Sequence, residues 1–325
     1  MLSLDPKVAP TRDIHRFLLG GVAPRPIALV STVSKKGIRN LAPFSFFNAF
    51  SANPPIVVFS PGRRLRNATI KDTYTNLNET GECVIHAVTY SMTQQMNLTS
   101  AEFDSEVDEF IKSGFTTLPS ETVTPPRVKE SPFHMECKLK DMIPLGSSGA
   151  AGNLAICEVI LFHADESVLT DGIIDSSKLE LIGRMGADYY SHSTSASIFS
   201  MAKPATGKIV GYDSIPEPIR LSKIFSGNNL GALGNIERIP AISDAVEFVS
   251  SYKVSETATG ESFRNAIDVG NFKLALSLAL GLESQRNSQM TTFFEEVARL
   301  ALDLADDKEF AWNVAIYGRR AELTS

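Results

Sequence analysis

The residues most able to do chemistry begin at Lys71-Asp72-Thr73, where an ammonium, a carboxylate and a hydroxyl open a helical stretch. If Asp72 or Thr73 caps that helix, its first amides point outward with partial positive charge. A lysine beside that end is electrostatically awkward unless an anion joins it. A phosphate would be held by the amides, the Thr73 hydroxyl and the Lys71 ammonium together. The plainer alternative is an exposed lysine before an ordinary cap. A second group lies upstream in Ala42-Pro43-Phe44-Ser45-Phe46-Phe47-Asn48, followed by Ser51 and Asn53. Small hydroxyls and amides ending an apolar strand suggest a place that receives something polar. Alternating small polar and aromatic residues present different chemistry on the two faces of a strand. The third group is Ile182 to Tyr190, in which two glycines flank Arg184 and imply a tight backbone near a ligand or a subunit boundary. A loop with a structural arginine is the competing account.

Other chemistries find no support. None of the five histidines has metal-ligand spacing to another His, Cys or carboxylate. His86 and His163 sit in apolar strands and read as core; His192, after the tyrosine pair, is the one histidine to entertain near a site. No Ser-His-Asp order or GxSxG elbow occurs. Gly227 to Asn235, GNNLGALGN, is no P-loop, because no Lys-Ser or Lys-Thr follows; turns between helices are expected there. A net charge of −6 over 325 residues argues against general binding to nucleic acid or an anionic membrane. The local cluster Arg63-Arg64-Leu65-Arg66 reads as a solvated turn. Cys83, Cys137 and Cys157 are odd in number, widely spaced and set in apolar runs, which suits buried thiols in a reducing compartment. The N-terminus has no signal-peptide pattern, and the apolar run Leu274 to Leu282 is about half of a membrane span. A cytoplasmic protein is therefore expected, with no membrane role.

These groups must be positioned by a mainly β region. The apolar runs Pro26 to Val33 and Ile38 to Phe47 flank Ser34-Lys35-Lys36-Gly37, a β-hairpin signature. A helix from Thr11 to Leu19, ended by Gly20-Gly21, precedes it. Strands are expected at Ile56 to Ser60, Cys83 to Val88, Phe133 to Ile143 and Leu154 to His163. Helices are expected at Lys71 to Thr80 with Gly81 as C-cap, at Ser91 to Leu98 and at Ser105 to Lys112. About six short strands with small helices suggest an antiparallel barrel. Beyond Pro204 the character changes, and from Ser243 the period is helical. Phe293, Phe294, Val297, Ala298, Ala301 and Leu304 share one face, and Ala266, Ile267, Leu274 and Leu278 do something similar. A C-terminal extension of about three helices follows, with 1–204 as one domain and 205–325 as connector and extension.

PRPIALVST at Pro24–Thr32, NLAPFSFFNAFSANPP at Asn40–Pro55, KDT at Lys71–Thr73 and TGE at Thr80–Glu82 together resemble the flavin-reductase-like FMN-binding split-barrel family. The resemblance runs from about Arg25 to about Tyr190, continuing more weakly through IGRMGADYY and toward GNNLGALGN. It implies an FMN-binding split β-barrel of Greek-key type with small helices, dimeric, with FMN near the subunit interface. It implies that Lys71, Asp72 and Thr73 help to hold the FMN phosphate. Ile70 stands where the family often has an arginine. It implies that the strand carrying Asn40, Pro43, Phe44, Ser45, Phe46 and Asn48 lies along the flavin, with Ser31 and Thr32 near the phosphate or ribityl chain. Arg184 would meet an acidic group of the cofactor, and Tyr190 would stack near the ring. The implied activity is NAD(P)H-dependent flavin reduction, in which hydride passes from NADH or NADPH to the flavin without a dedicated acid or base. The alternatives are an FMN-holding electron carrier or sensor, and a helical extension that docks a partner such as a monooxygenase.

Overall fold

The computed structural model describes residues 1–204, 207–284 and 289–324. The chain divides into two compact units, Met1–Ser200 and Met201–Ser325. In the first, helix α1 (Thr11–Gly21) precedes strands β1 (Ala28–Val33), β2 (Arg39–Phe44), β3 (Phe47–Ala52) and β4 (Pro55–Phe59). Helix α2 (Asp72–Thr80), strand β5 (Glu82–His86) and helices α3 (Thr93–Leu98) and α4 (Glu109–Ser113) follow. The short strands β6 (Thr117–Leu118) and β7 (Arg127–Val128) lead to the long hairpin β8 (Phe133–Pro144) and β9 (Asn153–Ala164). The unit closes with β10 (Leu169–Thr170), β11 (Ile173–Ile174), α5 (Ser176–Leu179), β12 (Ile182–Arg184) and β13 (Tyr190–His192).

The main sheet has seven antiparallel strands in the order β2-β1-β5-β8-β9-β4-β3. Its first hairpin turns at Gly37, whose φ of 81° is free to a residue without a Cβ. The edge strands β2 and β3 are consecutive, separated only by Ser45 and Phe46, so the sheet must curl until its two edges approach. The run expected as one strand from Ile38 to Phe47 is thus two strands broken at Ser45, because the chain passes there from one edge to the other. Strand β1 is buried along its whole length. Its alternate residues feed two cores: Ala28 and Val30 join Phe59, Ile85 and the three cysteines, while Leu29 joins Leu41, Met96 and Phe110. That is why the strand reads as a continuous apolar run. All three thiols are free and buried. The α1 helix continues through Gly20 and Gly21 and is preceded by Pro10, with no side-chain cap.

In the second unit, helices α6 (Glu217–Arg220), α7 (Gly227–Gly234), α8 (Ile242–Ser250), α9 (Gly260–Asp268), α10 (Phe272–Ser284), α11 (Met290–Ala305) and α12 (Lys308–Leu323) pack around one apolar cluster. Seven helices among the described residues replace the three expected. The glycine-rich run expected to form turns is α7, started by a capping box between Ser226 and Asn229. Phe310 to Ile316 are buried all round, making α12 the central helix. The Trp312 indole N–H donates to the Leu233 carbonyl at 2.9 Å. Phe293, Phe294, Val297, Ala298 and Ala301 face the core as expected, but Leu304 and Leu274 are exposed. Leu304 sits against Gly270 at the α9–α10 corner, where a Cβ would come within 2.9 Å of it. No helix among the described residues is long and apolar enough to cross a membrane.

His86 and Glu136 give the first unit an acid sensitivity. One His86 ring nitrogen meets the Leu29 carbonyl at 2.7 Å and the other accepts the Val128 N–H at 3.0 Å, a pairing that only the neutral ring allows. Burial, then His134 beside it, pushes His86 from 6.5 down to about 3. Glu136 is held down at about 2: burial works against this, but the Thr122 hydroxyl, the Glu121 amide and His163 outweigh it. Between the unfolded and folded values the unfolded state binds more protons, so stability falls as pH drops from about 6.5 toward 3. We expect urea midpoints of the sheet unit, followed by amide hydrogen exchange of its strand peptides, to be lower at about pH 4.5 than at about pH 7. Trp312 fluorescence reports the helical unit separately; equal sheet midpoints at the two pH values would contradict this account.

Candidate functional site

Two cavities of unlike lining in the first unit have Ser100 in common and are read as the two ends of one groove. The first end is built on the start of α2. Lys71 is the N-cap residue, extended at φ −92° and ψ 154°, and no side chain caps the helix. This corrects the expectation that Asp72 or Thr73 caps it. The Tyr74 and Thr75 amides both return to the Lys71 carbonyl, leaving those of Asp72 and Thr73 without an intrahelical acceptor. Gly81 ends the helix in the left-handed region, as expected. The Lys71 ammonium lies 5.0 Å from the centre of the Phe44 ring. Burial first, then the neighbouring Arg64, lowers its pKa, and Glu102 partly opposes them. Arg64 donates to the Ile70 carbonyl at 2.7 Å and to Thr69 Oγ1 at 3.2 Å. It supplies a second cation to the same cavity and is not the solvated turn residue expected.

A buried polar network underlies this end. Thr73 Oγ1 donates to Asn40 Oδ1 at 2.9 Å, and Asn40 Nδ2 donates to Glu109 Oε2 at 3.3 Å. Thr32 Oγ1 also reaches Asn40 Oδ1, at 3.4 Å, and accepts from Asn76 Nδ2 at 3.1 Å. Glu109 Oε2 takes the Leu41 N–H as well, at 3.1 Å. Burial pushes the Glu109 carboxyl up, the Leu41 amide draws it back part of the way, and Asp72 and Asp108 push it further up.

The second end, a cavity of about 190 Å³, is lined by Ile27, Pro43, Ser45, Met96, Asn97, Arg184 and Tyr190. Arg184 and Tyr190 are register partners in the β12–β13 hairpin, with the guanidinium 4.5 Å from the ring centre. Arg184 donates to the Ala187 carbonyl at 2.6 Å. Arg25, only 4% exposed, binds this end together. Its Nη1 donates to the Leu19 and Val22 carbonyls at 2.6 Å each, its Nη2 to the Met185 carbonyl at 3.0 Å, and its Nε to Ser45 Oγ at 3.5 Å. Gly183 must lack a side chain, since a Cβ there would lie 2.8 Å from the Pro24 Cβ.

The groove therefore gathers Asn40, Lys71, Asp72 and Thr73 at one end and Pro43, Ser45, Arg184 and Tyr190 at the other. Ser31 and Thr32 lie behind it, fully buried, and the Ser31 hydroxyl donates to the Pro126 carbonyl. Phe44 is core beneath Lys71, while Phe46 is exposed beside Arg25. Asn48 is exposed and accepts the Ala49 N–H; it lines a separate apolar cavity with Phe47, Phe133 and Phe162. His192 lines neither end and stacks on Tyr90 at 4.3 Å. Sequence reasoning missed Arg25, Arg64, Ser100 and Glu109. Only the basic cluster around Arg64 offered a signal.

Residues 20–178 match the model of the flavin reductase like domain. An uncharacterized protein of Halalkalibacterium halodurans is 36% identical over 205 residues, covering 62% of this chain and 97% of that protein. The crystal structure of nitrilotriacetate monooxygenase component B from Bacillus cereus is 34% identical, with a TM-score of 0.58, covering 62% of this chain and 98% of that one. A Shewanella frigidimarina protein with a split barrel domain is 25% identical, with a TM-score of 0.53, covering 62% of this chain and all of that one at 100%. Fold and cavities define a curled antiparallel sheet protein with a charged cavity beside one lined by Arg184 and Tyr190. The chain belongs to the flavin reductase-like family. The matched segment ends before Arg184 and Tyr190, and well before α7.

Asn40 is the joint of the polar network. Asn40→Leu should cost about 2–4 kcal/mol, because it strands the Thr73 hydroxyl and one contact of the Glu109 carboxylate. Ser100→Ala, at an exposed position, should change stability by less than about 0.5 kcal/mol. Urea denaturation checks both, and equal stability of the two variants would contradict the role given to Asn40.

Proposed function

We propose that the curled sheet is a split barrel whose groove holds FMN, and that the protein is an NAD(P)H-dependent flavin reductase. The observation that carries this reading is the unlike pair of ends. Lys71, Arg64 and the uncapped start of α2 form a donor set suited to a phosphate monoester. Pro43, Ser45 and the Arg184–Tyr190 pair form a second pocket suited to a flat ring with polar edges. Bound there, FMN supplies the hydride acceptance and electron transfer. The chain's own residues bind and orient. Lys71 is aimed by its packing on Phe44, Ser45 is held by Arg25, and Tyr190 is fixed under Arg184. No acid–base pair is needed, since the nicotinamide and the flavin carry the chemistry.

The partner of this unit is, on the same reading, a second copy. Strand β3 is exposed along nearly its whole length, Phe50 and Phe162 are exposed, and an apolar cavity of about 520 Å³ lies beside them. An apolar face of that kind on an edge strand needs covering. Reduced flavin would then pass to a monooxygenase, as the name of the Bacillus cereus relative suggests for that protein. Three buried free thiols fit a cytoplasmic setting.

Purified protein reconstituted with FMN should show a flavin spectrum that bleaches under anaerobic NADH or NADPH. Flavin that stays oxidised with both donors, yet is reduced by dithionite, would make the protein an electron carrier instead. Lys71→Ala should weaken FMN binding by about tenfold to a hundredfold while leaving riboflavin binding nearly unchanged. Equal losses for both ligands would mean that Lys71 supports the fold and not the phosphate.

A further inference from the structure

The cationic end of the groove is short of positive charge for a phosphate site. Arg64 and Lys71 face three carboxylates there, Asp72, Glu102 and Glu109. Glu102 is shared with Arg64 at 3.5 Å and Arg66 at 3.0 Å. Among the described residues no cation forms an ion pair with Glu109. It is 7% exposed, and its recorded partners are the Asn40 amide and the Leu41 N–H, both on Oε2. It also lines the neighbouring cavity with Lys35, Lys36, Asp72, Glu79 and Glu106, so it is a wall shared by two cavities of mixed charge in which carboxylates outnumber cations. Of the other charges around α4, Asp108 pairs with Arg39 of β2, Glu106 pairs with Lys36 at 3.4 Å, and Lys112 lies 5.8 Å from the centre of the Phe103 ring. From α3, Gln95 contributes only an amide, bonded to the Ser113 and Gly114 carbonyls. A dianion entering this end therefore shares its cavity with a buried carboxylate, and a nearby like charge favours a proton on one of the two.

We propose that binding of a phosphate monoester at the Lys71 end is coupled to protonation of Glu109, which makes Glu109 the residue that sets the charge balance of the ligand the groove accepts. This rests on the FMN reading of the groove. The step moves one proton from solvent to the Glu109 carboxylate and breaks no other bond. A proton on Oε1 leaves both contacts to Oε2 in place, so the Asn40 network survives. Burial and Asp72 already raise the affinity of this carboxyl for a proton. The consequence is that FMN binds more tightly as pH falls through the range in which free Glu109 is ionised, by at most about tenfold per pH unit. Riboflavin, lacking the phosphate, does not share this dependence.

The test is calorimetric titration of the full chain with FMN and with riboflavin, in buffers of different ionisation heat at about pH 7.5, which counts protons taken up. Wild type should take up a substantial fraction of a proton with FMN and none with riboflavin. Glu109→Gln keeps an oxygen acceptor toward Asn40 and Leu41; it should bind FMN at least as tightly, with no uptake and a flattened pH dependence. No uptake by wild type, or uptake that persists in Glu109→Gln, overturns the proposal, the latter by assigning the proton to the phosphate or to Asp72. If Glu109→Gln does not fold, the wild-type counts decide, and equal counts for FMN and riboflavin overturn it. Folded wild type that binds neither ligand overturns the FMN reading itself, and this coupling with it.

Discussion

Strands β2 and β3 follow one another in the chain yet form opposite edges of a seven-stranded sheet. Two residues, Ser45 and Phe46, bridge what would otherwise be the full width of that sheet, and the distance is possible only if the sheet curls. Curling places the end of β2 on a rim, where Phe44 turns into the core while Pro43 is only partly buried. Pro43 and Ser45 reach one end of the groove from that rim, and Asn40 reaches the other. The helices α2, α3 and α4, the segment after α3, Ile27, Arg64 and the β12–β13 hairpin supply the remaining walls. The site is therefore a consequence of how the sheet closes.

Two internal ties make the rim precise. Arg25 gathers the end of α1, Ser45 and the Met185 carbonyl through four donated contacts while almost fully buried. Asn40 joins Thr73 on α2 to Glu109 on α4. Buried polar ties of this kind add modest net stability when complete and cost much more when one member is lost. They favour a single arrangement of the helices around the groove, which is what a phosphate held by fixed amides and ammonium requires.

Much of the first unit was legible. The β1–β2 hairpin shows in its apolar runs and Gly37, α2 shows in its Gly81 stop, and the β8–β9 hairpin shows in its long apolar strands. Lys71 and Ser45 could be nominated because their types sit awkwardly in a plain structural role, and Tyr190 through the family resemblance. Arg25, Arg64 and Glu109 could not. For Arg25 and Glu109 the meaning comes from partners 160 or 69 positions away, as in Arg25 to Met185 and Asn40 to Glu109, and no local pattern announces such a meeting; Arg64 lay in a basic cluster that reads as a solvated turn. Thr73 illustrates the converse: its place was legible, but its hydroxyl proton is committed to Asn40. In the second unit α7 was hidden by its glycines. It is helical because Ser226 caps it and Leu230 and Leu233 are buried, and Gly234 lets the Gly211 backbone come close, where a Cβ would lie 3.0 Å from it. Tertiary burial there overrides weak local propensity.

The central claim is that one groove holds the phosphate and the ring of FMN at its two ends. A crystal structure of the FMN complex tests it most directly. The account predicts the phosphate against Lys71 and the first amides of α2, with the ring beside Pro43, Ser45 and Tyr190. A flavin seated instead in the apolar cavity beside Phe47 and Phe162, or a phosphate remote from Lys71, would contradict it.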